Sequence, residues 1–380
     1  MTADPTIALL QDLVAIDSVN PSLVPGARGE AEVARRIAAE CIAIGLRVEV
    51  TEVAPGRPNV VAVLEGRAPG PSLMFCGHID TVGVTGMSRP FEPVTRDGRL
   101  YGRGSQDMKG GVAAMIGAVR ILAENGGLAN GRVIVAAVVD EEHASIGAEA
   151  LIASWRADAA VVTEPTDLDV AVAHKGFQWV EVQTRGRAAH GSRPAEGRDA
   201  ILRMGRVLHR LEALDRKLQK RPAHALLGTA SLHASLVGGG RELSSYPDQC
   251  TLTLERRTLP GETLGVAMDE VEEIMRSLRA DDVEFEASAT ALFGRDAYEI
   301  NPSAKLPASL VEAAESVGCT PARVGMTFWT DAAILGGAGI PSVLFGPGGA
   351  GLHSAEEYVR LDDVRQGRDT LATLARNFTR

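Results

Sequence analysis

Four short apolar runs constrain this chain more than any other feature, because each ends on a residue able to do chemistry. Residues 72–76 lead into Gly77-His78-Ile79-Asp80, and residues 132–139 into Asp140-Glu141-Glu142. Residues 159–163 lead into Glu164-Pro165, and residues 341–345 into a glycine-rich stretch that reaches His353. Runs this short with so few polar interruptions are strands buried on both faces. Between them, residues 5–16, 30–44 and 110–124 carry apolar positions at helical spacing. The alternation predicts an α/β fold with a mostly parallel mixed sheet flanked by helices. Such sheets build their sites just beyond the carboxyl ends of their strands.

A chain of 380 residues is too long for one ordinary core, so two domains are expected. The texture changes after Lys175-Gly176. Residues 177–184 alternate, with Val180 and Val182 set against Gln178, Glu181 and Gln183, which suits a sheet with one wet face. A helix over 199–218, strands near 229–237 and 249–256, a helix near 263–279 and a strand at 283–287 complete the order β-α-β-β-α-β. That order is the ferredoxin-like split unit. Residues 177–289 are therefore expected to form an inserted α+β domain, dividing the catalytic domain into 1–176 and 290–380. Buried α/β character returns with a helix over 304–317, the strand at 341–345 and a helix over 361–378.

The net charge of −10 and the absence of long Lys/Arg runs argue against nucleic acid or an anionic membrane as a partner. An anionic substrate would need a local cation. No signal-like segment opens the sequence and no apolar run approaches membrane length, so a cytoplasmic setting is expected. Cys41, Cys76, Cys250 and Cys319 form no C-x-x-C pair and read as reduced core thiols.

Carboxylate and imidazole are the ligands of a zinc-like divalent ion. Taken singly, each candidate has a plainer explanation. His78 and Asp80 either share a strand face or diverge into a solvated loop. Asp107, after a glycine-rich turn and before the helix from Gly110, suits a helix cap as well as a ligand. Three adjacent acids at 140–142 sit on a solvated rim or are neutralised by cations. In an extended segment Glu141 and Glu142 would point to opposite sides and serve different roles. Glu164 and His353 also suit turns. Gly346-Pro347-Gly348-Gly349-Ala350-Gly351 fits a dinucleotide-binding G-x-G-x-x-G, although a proline lies within it. Thr327-Phe328-Trp329-Thr330-Asp331 either lines a pocket or fills a core.

The order and settings of these residues resemble the dinuclear zinc amidohydrolase and peptidase superfamily. It contains acetylornithine deacetylase, succinyl-diaminopimelate desuccinylase, aminoacylase and glutamate carboxypeptidase. The likeness runs from about Leu9 to the C-terminal helix. It implies two Zn2+ ions, replaceable by Co2+ or Mn2+. One would be held by His78, Asp107 and Glu164, the other by Asp107, Glu142 and His353, with Asp107 bridging. Asp80 would orient His78, and Glu141 would be the general base for a metal-bridging hydroxide. The inserted domain would be a lid that also forms a homodimer. His190 would approach the neighbouring subunit's site and stabilise the oxyanion, Arg257 would receive the substrate carboxylate, and Ser244 would stand at a substrate-binding position. Gly83, Thr163 and Ser244 depart from the usual Pro, Gly and Asn. The activity implied is hydrolysis of the amide of an N-acyl amino acid, with a dipeptidase or carboxypeptidase as the alternative.

Overall fold

The computed structural model describes residues 4–380. Their contacts divide them into two compact units, one running up to Val172 and including Ile300–Val324 and Thr330–Arg380, the other Ala173–Glu299 with Gly325–Trp329. The sequence reading put the corresponding boundaries at 177 and 289.

The first unit is built on the central strands of an eight-stranded mixed sheet. Its longest strand, Arg57–His78, folds into two arms about Leu128–Val138. Val60 to Glu65 pair with Ala137 to Arg132 in descending order, whereas Ser72 to His78 pair with Arg132 to Val138 in ascending order. The second arm is therefore parallel to Leu128–Val138. Ala159–Val162 pairs parallel to that arm, and Ser342–Leu344 pairs parallel to Ala159–Val162. These four parallel runs are the apolar ones seen in the sequence, and all are buried. The antiparallel strand Arg47–Ala54 closes one side, and Val170–His174 pairs antiparallel with Ser342–Leu344.

Helices cover the sheet. Pro5–Ala15 starts at Asp4, whose side chain accepts from the Thr6 N–H at 3.0 Å, and it buries Leu9, Leu10, Leu13 and Val14. Gly110–Glu124 is buried along most of its length. A Cβ at Gly111 would lie 1.9 Å from the Thr163 carbonyl oxygen, so only glycine lets this helix touch the strand end that delivers Glu164. Leu361–Phe378 packs its Leu371, Leu374 and Ala375 inward. No helix among the described residues is long and apolar enough to cross a membrane.

A third small sheet joins Val94–Arg96, Arg99–Tyr101, Tyr358–Arg360 and Gly349–Ala350. Its strands have two or three residues each, too short to leave a periodic signal. It ties the His353 loop to the segment leading into Asp107. The glycine-rich 346–351 stretch enters this pairing instead of turning into a helix, which removes the dinucleotide-binding reading.

In the second unit the sheet order is Glu286–Arg295, Gly176–Arg185, Gln249–Thr258, Ser231–Gly239, all antiparallel. Helices Ala200–Leu218 and Val266–Asp281 cover one face. Val180, Val182, Leu252 and Leu254 meet Met204, Val207, Leu211, Val271 and Met275 there. This is the ferredoxin-like arrangement. Its last strand lies later than the expected 283–287. Asp282 caps a turn that leaves Val283 exposed and sends Phe285 into the core, so pairing begins only at Glu286.

Candidate metal centre

Parallel packing sets the carboxyl ends of the strands side by side, and the site residues follow from that. His78 ends its strand opposite Val138, and the Thr163 N–H donates to the Cys76 carbonyl at 2.9 Å, placing Glu164 one residue beyond. Asp140 takes a left-handed backbone, φ 71°, and the chain turns over 141–144. Glu141 and Glu142 are therefore presented by a turn, not by the extended segment expected from the sequence.

The two glutamates still face different partners. Ligand atoms of His78, Glu141 and Glu164 lie within 4.8 Å of one another, as do those of His78, Asp107 and Glu142. Asp107 divides its oxygens: Oδ1 is 3.0 Å from His78 Nε2 and Oδ2 is 3.3 Å from His353 Nε2. Glu142 Oε2 is 3.1 Å from the same His353 nitrogen. Asp107 does not cap the helix that follows, whose N-terminal residue Lys109 makes no side-chain cap. His78 Nδ1 lies 3.0 Å from the Asp80 main-chain oxygen and 3.5 Å from its carboxylate Oδ1. Both acceptors belong to Asp80, so this residue fixes the ring and leaves Nε2 for the centre.

Electrostatics show a centre that requires positive charge. Burial raises the pKa of Glu141 and Glu164 well above the usual carboxylate range, and neighbouring carboxylates push further in that direction. Burial and the Asp107 charge raise Glu142 as well. Against its own burial, Asp107 is lowered by His353 and His78. Asp107 and Glu142 raise His353 to about 10. The donor set fits divalent metal: carboxylates and imidazoles converge, and Glu142 Oε1 is a buried oxygen without a hydrogen-bond partner.

Several residues were not singled out from the sequence. Asn20 Nδ2 donates to Asp80 Oδ2 at 2.7 Å and to Asp140 Oδ1 at 3.1 Å. The Glu141 and Glu142 N–H groups donate to the Asp80 carboxylate, each at 3.2 Å. Arg57 joins Asp140 at 2.7 Å and also pairs with Glu30. Asp331, named from the sequence only as the end of the 327–331 stretch, is buried in the same unit and adds its charge to the rise of Glu141 and Glu164. The hydrogen-bonded partners among these lie up to 120 residues apart, and no local pattern could have joined them.

The remaining candidates lie in the second unit. The Gly191 N–H donates to the Ser244 carbonyl at 2.7 Å and His190 bridges Ser245, so His190 and Ser244 stand on adjacent segments. His190 Nδ1 is engaged within its own turn, 3.2 Å from the Ser192 N–H nitrogen and 2.8 Å from Ser192 Oγ. The Arg257 guanidinium lies 5.6 Å over the Phe177 ring and pairs with Glu255. Trp329 stacks edge-on against His174 and Phe177 and donates to the Asp296 carbonyl at 3.1 Å, within an aromatic cluster of this unit.

Known proteins resemble this chain over most of its length. An acetylornithine deacetylase from Myxococcus xanthus is 30% identical over 327 residues, covering 84% of each chain. An N-formyl-4-amino-5-aminomethyl-2-methylpyrimidine deformylase from Bacillus subtilis is 27% identical over 373 residues, covering 90% of this chain and 87% of its own. Among solved structures, a tripeptidase from Staphylococcus aureus superimposes with a TM-score of 0.82 at 20% identity, over 98% of both chains. A Bacillus subtilis protein described as a dinuclear metal-binding peptidase gives 0.76 at 17% identity, over 99% of this chain and 98% of its own. Likeness at those identities shows the fold. Residues 74–377 match the pattern of peptidase family M20/M25/M40, a stretch that holds every acid and histidine of the centre described above, and the chain belongs to that family.

Proposed function

We propose that this metal-dependent hydrolase removes the acyl group from an N-acyl amino acid through two zinc ions. One observation carries the reading most directly: Asp107 turns one oxygen to His78 and the other to His353, with Glu142 and Glu164 beside them. His78, Asp107 and Glu164 would hold one ion, and Asp107, Glu142 and His353 the second. A pair of divalent ions supplies Lewis acidity and a water of lowered pKa. Glu141 is the general base. Its buried carboxyl, raised by Glu164 nearby, suits a group that takes a proton and passes it to the leaving amine. Asp80 holds His78 and, through two N–H groups, the turn that bears Glu141 and Glu142.

The second unit serves as lid. His190 approaches the neighbouring subunit's site and donates to the oxyanion there, and Arg257 receives the substrate carboxylate by a bidentate contact. Ser244 lies on the segment paired with His190. A homodimer forms through this unit, supported by its open edge strand Ser231–Gly239, where Leu236 and Val237 are exposed.

A deacylase is favoured over a dipeptidase or carboxypeptidase because the relatives covering most of the chain are named for removing acetyl, formyl or succinyl groups. The peptidases appear as fold neighbours at lower identity. The test is amine release from N-acetyl, N-succinyl and N-formyl compounds against dipeptides and tripeptides, with the purified protein supplied with Zn2+ or Co2+. A higher kcat/KM on any peptide than on every acyl compound would overturn the deacylase reading.

A further inference from the structure

Glu357 lies four residues beyond His353 and is 1% exposed. Both of its oxygens are spent on the segment that ends at Asp107. Oε2 accepts from Arg103 Nη1 at 2.6 Å and from the Gly104 N–H at 3.0 Å. Oε1 accepts from the Gln106 N–H at 2.9 Å and the Asp107 N–H at 3.1 Å. Arg103 reaches across in turn, its Nη2 donating to the Ser354 carbonyl at 3.0 Å. The Gly102 N–H donates to the Glu357 carbonyl at 3.1 Å, and the next residues, Tyr101 and Tyr358, are paired in the small sheet.

The 102–109 segment is irregular, with only a few main-chain bonds of its own, such as Ser105 N–H to the Gly102 carbonyl and Lys109 N–H to the Gly104 carbonyl. Gly104 is left-handed, and Asp107 and Met108 depart from helical geometry. The main-chain N–H groups of Gly104, Gln106 and Asp107 converge on one carboxylate. The same carboxylate stands on the residue just before the strand Tyr358–Arg360, which follows the His353 loop.

We propose that Glu357, with Arg103, is a positioning residue that clamps the Asp107 segment to the His353 loop, setting the separation of two ligands of one metal site. It touches neither substrate nor metal. The inference rests on the two-metal reading above. Partners one step behind a ligand typically change metal affinity by about 10- to 100-fold when removed. Glu357→Gln keeps the shape but turns an amide NH2 toward two N–H donors, so at least two of the four bonds are lost.

The test is Co2+ binding to the chelator-treated full-length protein, followed by calorimetry and by the visible absorption of bound Co2+, well below the thermal midpoint. The expected result is two ions bound by the wild type, and a dissociation constant about 10- to 100-fold weaker at one site of Glu357→Gln, with an altered Co2+ spectrum. A role confined to stability would lower the midpoint and leave affinity and spectrum unchanged, and that outcome overturns the clamp. If Glu357→Gln does not fold, Arg103→Gln decides. It leaves the three main-chain bonds, so about a tenfold loss of affinity is expected, and an unchanged affinity overturns the proposal. Failure of the wild type itself to bind Co2+ removes the metal reading, and the clamp with it, a result distinct from a normal wild type with a normal variant.

Discussion

Asn20 is the sharpest test of how the centre is held. It is fully buried between two carboxylates, donating to Asp80 at 2.7 Å and Asp140 at 3.1 Å while accepting from the Ser22 N–H at 2.8 Å. Asn20→Leu keeps the volume and removes both donations. A hydrogen bond to a charged group contributes about 1.5–3 kcal/mol, so the pair sets a range of about 3–6 kcal/mol. The lower half applies. Asp80 keeps the Glu141 and Glu142 N–H groups, and Asp140 keeps Arg57 and the Ala144 N–H, so neither acid is orphaned. The expected loss is about 3–4 kcal/mol. Because the chain forms two compact units, one global transition is not assumed. Hydrogen exchange of metal-free protein, read on peptides spanning residues 132–145, reports the opening free energy of the segment concerned. A loss below about 1 kcal/mol there would refute the claim that Asn20 bears on both acids. Asn20→Asp adds a third carboxyl whose folded pKa must rise. Its cost therefore grows as pH increases from the acid range, and equal cost at pH 5 and 8 would count against the same reasoning.

Glu141→Gln should still bind two Co2+ ions and lose about 10²–10⁴ in kcat, the range for a positioned acid–base group; loss of one ion instead would make Glu141 a ligand. With metal chelated, His353 is held protonated up to about 10, above its unfolded value of about 6.5. Its contribution to stability is thus complete below the unfolded value and is lost as pH rises through the folded one. The thermal midpoint in chelator should fall between pH 7 and 10, and His353→Gln should flatten that slope; parallel slopes would show that His353 is not the group responsible. Arg257→Ala should raise KM for substrates with a free carboxylate and spare those without one, so an equal effect on both would undo that assignment. Leu236→Lys places a charge on the open strand edge and should yield monomers in sedimentation, whereas an unchanged assembly would move any dimer interface elsewhere.

Much of the centre was legible because strand ends announce themselves. A buried strand is a short apolar run, and the first polar residue after it marks where the chain leaves the core. That reasoning located His78, the acids at 140–142 and Glu164. It misjudged the local shape at Glu141 and Glu142, because the left-handed Asp140 that starts their turn has no glycine to advertise it. It also passed over the four-strand sheet around Tyr101 and Tyr358, whose pieces are too short for periodicity to register.

The sequence by itself determined which apolar runs form the buried parallel strands, where those strands stop and which ionisable groups stand at the stops. These follow from short-range patterns of polarity. Only the tertiary structure decided partners: Asp107 between His78 and His353, Asn20 between Asp80 and Asp140, Glu357 beneath the Asp107 segment. The physical reason is range. A residue's burial is set by its neighbours along the chain and the element they form. A hydrogen bond across 250 positions exists only once the packed fold has brought the two segments to 3.1 Å, and nothing local encodes which segment will arrive.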